Sequence, residues 1–328
     1  MSGGAPASEL LRWLNRLAPL LGLLLVYAIF AFVVPESFLS LRNVETILRQ
    51  SAIVGTAALG MTLVIIAGGI DLSAGSMIAL STVVIAAMLE RGAGPLTAAA
   101  AGVTAGALCG LFNGALITGL RVVPFIVTLG TLLIVRGAAK GLGREQKIDV
   151  PPESLAWLDD LLASLGGGQR WMLVPSGVWL MLALALLVAG LLRYTRLGRH
   201  VFAVGSNEQT ARLCGVPVPR VKITVYVASG LFAGIAGLLQ FSRLTVGDPT
   251  VAQGLELPVI AAVVIGGGSL AGGEGSILGT LVGALIMEVI RSGCSQSGVP
   301  NWVQEIITGA IIVLAGALDR LRHRRAAE

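Results

Sequence analysis

Apolar runs long enough to cross a bilayer recur along almost the whole chain, and that recurrence limits the fold more than any motif does. A spanning helix needs roughly 20 predominantly apolar residues. Hydropathy places spans near 17–34, 51–69, 76–89, 96–120, 124–140, 174–192, 223–241, 257–270, 275–290 and 303–318. Lipid offers backbone N–H and C=O groups no partners, so such spans close their hydrogen bonds internally, as helices. The expectation is an all-α, polytopic transmembrane helical bundle of about ten spans, forming one membrane domain over 1–328. With 55% of residues apolar and 12% charged, the chain lacks the polar surface a water-soluble fold requires.

Charge sets the expected orientation. Arg12 and Arg16 precede the first span, which has no small-residue cleavage site after it and reads as retained. Arg193, Arg196, Arg199, Arg212, Arg220 and Lys222 share one loop, and Arg320, Arg322, Arg324 and Arg325 share the tail. An even number of spans separates these groups, so one topology puts all three in the cytoplasm of a bacterial inner membrane. That assigns residues 1–16, 193–222 and 319–328 to the cytoplasm and 141–173 to the periplasm. These cations read as orientation signals, not as a nucleic-acid surface.

The spans after Gly75 and Pro258 are short enough to be half-helices, giving broken or short helices near Gly68–Ser76 and Gly266–Ser276. Within the first break Asp71 stands at membrane depth, where a carboxylate costs about 2.5 to 3.5 kcal/mol on insertion scales. It must face protein, water or a helix N-terminus. Asp71 with Ser73 and Ser76 suits N-capping of the following helix, and lining a solute path is compatible with that. Gly102, Gly106, Gly110 and Gly114 recur every four residues, giving one helix face a row where backbones approach closely. Gly230 with Gly234 and Gly279 with Gly283 repeat the device.

In the basic loop, Asn207 is placed to cap a short helix that Gly215 and Pro217 would stop. Such a helix is either a handle for a soluble partner or an ordinary connector. In the outward segment Leu155, Trp157, Leu158, Leu161 and Leu162, opposite Asp159 and Asp160, read as a short amphipathic surface helix. It would dock a partner or close the loop over the bundle.

No glycine–lysine pair occurs, so the phosphate-loop motif is absent. Gly266, Gly268 and Ala271, with Glu288 downstream, fit a loose dinucleotide fingerprint, but apolar spans on both sides leave no room for a strand–helix–strand unit. His200 and His323, the only histidines, lie in basic stretches and assemble no metal or catalytic pair. Cys109, Cys214 and Cys294 have no paired spacing, and no metal or other cofactor is expected. Glu288 near Arg291 would suit a helix anchor or the proton-coupling pair of a self-sufficient, ion-coupled transporter.

The run from Gly60 to Ser76 resembles the signature of permeases from ribose, xylose, arabinose and galactose importers of the ATP-binding-cassette class. The likeness continues through Asn113-Gly114, Pro124 to Thr131, Arg136-Gly137, Gly205 to Val216 and Gly266 to Ser269. It implies a lipid-embedded permease subunit, itself no enzyme, paired with a second copy or paralogue as a homo- or heterodimer. A periplasmic sugar-binding protein would deliver a monosaccharide, and a cytosolic ATPase would bind the ATP. On this resemblance Asn207, Glu208, Ala211, Gly215 and Val216 match the ATPase-coupling loop, though Pro217 and Pro219 replace the motif's usual continuation. Asp71, Ser73, Asn113 and Thr128 match polar positions that are candidates for the solute path.

Overall fold

The computed structural model describes residues 6–163 and 174–327. The stretches 1–5 and 164–173 and residue 328 lie outside it, including parts of the predicted terminal tails and of the outward segment. Described residues form α1 (Pro6–Val33), α2 (Pro35–Phe38), α3 (Leu41–Ile66), α4 (Ala74–Glu90), α5 (Pro95–Leu120), α6 (Pro124–Leu142), α7 (Ser176–Tyr194), α8 (Arg196–Ser206), α9 (Glu208–Leu213), α10 (Val218–Leu244), α11 (Glu256–Ile265), α12 (Ile277–Gln296) and α13 (Asn301–Ala327). Each of the ten expected spans falls on an apolar helix. Six are long enough to cross a membrane, and the apolar stretches in α1, α4, α11 and α13 are shorter.

At 1.5 Å per residue, the 17 residues of α4 and the 10 of α11 reach only about 25 and 15 Å, less than a hydrocarbon core of about 30 Å. They are the expected short helices. Their starts meet: a Cβ on Gly75 would strike Ala252 O and the Glu256 side chain. Arg136 of α6 holds the segment between α10 and α11, donating from Nη1 to Pro249 O at 2.9 Å and Val251 O at 2.7 Å.

Helix α3 is the axis of the bundle, its apolar window 89% buried against 22% for α6. It packs on α7, α10, α11 and α12, and Thr62 and Thr280 share a hydrogen bond of 2.8 Å between α3 and α12. The exposed apolar side chains of α1, α6, α7 and α13, such as Phe32, Leu133, Leu186 and Val313, suit a lipid surround.

The glycine row of α5 works as a seam with two neighbours. A Cβ on Gly102 would strike Ile85 and Ser81 of α4. Added to Gly106, Gly110 or Gly114, it would strike the backbone of α10. Gly230 and Gly234 answer from α10, since a Cβ there would strike α5 backbone. The seam lets two backbones touch, which maximises dispersion contact where water supplies no driving force.

Three local features differ from expectation. The surface segment forms two 3₁₀ turns, Pro152–Ser154 and Ala156–Leu158, in place of one amphipathic α-helix. Leu155, Leu158 and Leu162 are buried while Trp157 is 40% exposed, so short turns bury three leucines without a regular face. Strands β1 (Ile148–Asp149) and β2 (Val246–Gly247) pair antiparallel, tying this segment to the end of α10. The basic loop holds a second helix, α8, ahead of the expected one.

Gly110→Val is expected to destabilise the protein by about 1–3 kcal/mol or more through overpacking. Gly130→Ala, where a Cβ meets open space, should not. Thermal unfolding in detergent checks this, and equal melting temperatures for Gly110→Val and the parent would contradict the seam.

Candidate functional site

Helix α3 ends because Gly68 adopts a left-handed φ of +77° that a side chain would strain. The Gly68 amide donates to Ile65 O and the Gly69 amide to Val64 O, both at 2.9 Å, so two otherwise orphaned carbonyls are bonded without water. The chain then crosses Ile70, Asp71 and Leu72 before α4 begins.

Asp71 is fully buried in this break. Its Oδ1 accepts from the Ser73 amide at 3.0 Å and the Ser73 hydroxyl at 2.5 Å, and its Oδ2 accepts from Ser229 Oγ of α10 at 3.0 Å. Asn113 Nδ2 of α5 donates to Ser73 Oγ at 2.8 Å. One residue earlier, Ile70 O accepts from Thr128 Oγ1 of α6 at 3.2 Å and from the Tyr226 hydroxyl of α10 at 3.3 Å. Thus Asp71, Ser73, Asn113 and Thr128, far apart in sequence, come together. Ser229 and Tyr226 complete the group, and nothing in their apolar helix marks them beforehand.

The capping expectation needs correcting. Ser73 occupies the N-cap of α4 and makes no side-chain cap hydrogen bond. Asp71 instead folds back on the Ser73 amide two residues on, a turn that fixes the break itself. All four predicted path residues are fully buried. The void beside them, lined by Gly68, Gly69, Pro124 and Tyr226 among others, is about 10 Å³, room for about one water. In this conformation the group is a latch.

The basic loop is built to its own rules. Thr195 Oγ1 caps α8 by accepting from the Gly198 amide at 3.2 Å, and Asn207 Oδ1 caps α9 by accepting from the Thr210 amide at 2.8 Å. At the far end of α9, Val216 N donates to Ala211 O at 3.0 Å and Gly215 N to Arg212 O at 3.1 Å, with Gly215 at φ +81°. That pattern needs a left-handed residue four positions after Ala211, which accounts physically for the alanine–glycine spacing. Ala211 is the buried side of α9, and Leu213 is 89% exposed. Glu208 pairs with Arg212 at 2.9 Å and with Lys222 of α10 at 2.7 Å. The Lys222 hydrogen bond, with Arg212 adding to it, holds the Glu208 carboxyl below its ordinary value.

Latch and loop meet at one joint. Gly205, near the end of α8, lies so close to Ile66 O and Gly273 N that no Cβ fits. The Gly273 amide donates to Ile66 O at 2.9 Å, and Gly272 lies against Gly68 and Gly205. The break after α11 ends its helix as the first break does, with Gly267 N on Val264 O at 3.0 Å and Gly268 N on Val263 O at 2.8 Å. One turn of α8 therefore touches both membrane breaks. Among the described residues no group of acidic, cysteine and histidine side chains is arranged to hold a metal.

Comparison with known proteins finds relatives of the chain along most of its length. Residues 43–316 match the family described as branched-chain amino acid transport system / permease component. The ribose import permease protein of Escherichia coli (strain K12) is 39% identical over 311 residues, covering 95% of each chain. The L-arabinose ABC transporter permease protein of Azospirillum brasilense is 36% identical, covering 95% of this chain and 89% of its own. The fructose import permease protein of Rhizobium meliloti is 37% identical, covering 94% and 86%. No solved structure matches the chain.

Two outcomes follow from the latch and the loop. Asp71→Ala orphans buried donors at about 1–3 kcal/mol each, so it should lower the melting temperature in detergent. Ser229→Ala should cost less, and parental stability of Asp71→Ala would contradict the latch. A carboxyl held low in the folded state adds stability above its unfolded value of about 4.3, lost as pH falls through the lower folded value. An environment-sensitive dye on exposed Cys214 should therefore report an unchanged loop from pH 8 to 5 and a change only below about pH 4. Glu208→Gln should abolish that step, and a step near pH 6 would contradict the assignment.

Proposed function

The chain belongs to the family of branched-chain amino acid transport system permease components, and from that premise we propose that it is the membrane-spanning subunit of an ATP-binding-cassette importer that carries a monosaccharide from periplasm to cytoplasm. The names of its sugar-importing relatives support the substrate class. The observation that carries the mechanism is the Gly205 joint, because it gives a helix pair outside the bundle direct purchase on both membrane breaks.

ATP binding drives transport only if its free energy differs between inward-facing and outward-facing states. The chain has no glycine–lysine phosphate cradle, so that difference enters through a separate cytosolic ATPase. Helices α8 and α9 are the receiving surface: Ala211 anchors α9, while Arg212, Leu213 and Cys214 face outward. The basic residues of 193–222 put this loop, and with it both termini, in the cytoplasm of a bacterial inner membrane. The opposite face then receives the sugar from a periplasmic binding protein. A second copy or paralogue packs against lipid-exposed helices to complete the translocation unit.

Sugar hydroxyls lose water hydrogen bonds in a dry path, so the route must be polar, and a permanently open hole would leak. Rocking of helices around the two breaks reconciles these demands. The latch around Asp71 holds one of those breaks in the conformation described above.

Vesicles reconstituted with this subunit, its ATPase and its binding protein are expected to take up sugar only with ATP. Uptake by this subunit alone down an ion gradient would overturn the reading. Gly215→Trp, or deletion of Asn207 to Ala211, should leave the protein inserted and abolish copurification of the ATPase. Unchanged copurification would refute the loop assignment.

A further inference from the structure

On the face opposite α8 and α9, an open cavity of about 450 Å³ lies between the start of α3 and the second half of α12. Small-molecule sites span about 300–1,000 Å³. Its walls are polar where a lipid-embedded bundle is otherwise apolar: Asn43, Thr46 and Gln50 from α3 face Glu288, Ser292 and Gln296 from α12. Asn43 and Glu288 are 4% and 3% exposed.

The wall is braced at Asn43. Its Nδ2 donates to Phe38 O at 2.9 Å, and its Oδ1 accepts from Ser292 Oγ at 2.7 Å and Gln296 Nε2 at 3.3 Å. Glu288 is not braced in this way. Its ion-pair contact is Arg291 Nη1 at 3.9 Å, longer than a hydrogen bond, and the Arg291 side chain is 61% exposed. Glu288 lies eight residues before the last residue of α12, about 12 Å inside the helix, so it is not an anchor at the helix end. Among the described residues no side chain donates a hydrogen bond to Glu288, so a buried carboxylate that lines a polar cavity keeps its capacity to accept.

We propose that this cavity binds a neutral monosaccharide, with Glu288 accepting from two adjacent sugar hydroxyls and Asn43, Gln50 and Gln296 serving the others. The inference rests on the sugar-import reading and assigns that solute an entry position. Mixed amide, hydroxyl and carboxylate groups match a polyol, whose every hydroxyl both donates and accepts. Charges of both signs line the cavity, Arg42 and Arg291 against the buried Glu288, so neither an anion nor a cation finds a matched site, and Glu288 opposes an anion at its own position. A cation would be opposed by Arg291 and by Arg243, which lies within electrostatic range of Glu288.

The full chain in lipid nanodiscs, without ATPase or binding protein, is titrated with radiolabelled D-ribose, L-arabinose and D-fructose. At least one should bind saturably. Glu288→Gln should weaken that binding tenfold or more, and Ser295→Trp, at the exposed rim, should abolish it even if Glu288→Gln folds poorly. Gly130→Ala should bind as the parent does. Absence of binding by all three sugars, or binding that survives both cavity substitutions, overturns the site. In the reconstituted complex, ATP-driven uptake unaffected by the cavity substitutions overturns the site alone, whereas a parent complex that takes up no sugar removes the import reading itself.

Discussion

A polypeptide that stops being helical inside a membrane must still bond every backbone N–H and C=O, and here that demand is met around one carboxylate. Asp71 accepts three hydrogen bonds from Ser73 and Ser229, and Asn113 locks Ser73 from behind. Through Ile70 O the same turn is bonded to Thr128 and Tyr226. Helices α5, α6 and α10 are thereby fastened to the point where α3 gives way to α4. These bonds fix the break at a depth where lipid offers its polar groups no other partner.

The two breaks share one chemistry. Each uses paired glycines to end a helix with its last carbonyls bonded, and each then passes beneath α8 at Gly205. A displacement of α8 is therefore felt at both places at once. Because packed interiors resist continuous deformation, the proposed push on the loop would act on both breaks together. The polar cavity at the far end of α3 gives the other access point, separated from Ile66 by most of the length of that helix.

Much of this was readable in the residues. Apolar runs located the ten apolar helices found among the described residues, because lipid enforces helix wherever a run is long enough. The row from Gly102 to Gly114 announced its seam, and Asn207 with Gly215 announced both ends of α9, since caps are local chemistry. What stayed hidden depends on distance. Ser229 and Tyr226 sit among apolar neighbours some 158 and 156 residues from their partners, and only the fold brings them together. Helix α8 is amphipathic but short and polar on average, so a search for long apolar runs passes over it, and two-residue strands such as β1 and β2 leave no periodic signal. The Asn43–Glu288 cavity was hidden for the same reason: its walls come from opposite ends of the chain.

The central claim is that α8 and α9 move as one with the two breaks. Hydrogen exchange of the reconstituted complex, with and without ATP, tests it most directly through peptides covering 66–73, 205–216 and 266–275. The account predicts that nucleotide changes exchange in all three together, and in none of them when the ATPase is absent. A response confined to 205–216, with both breaks unchanged, would contradict it.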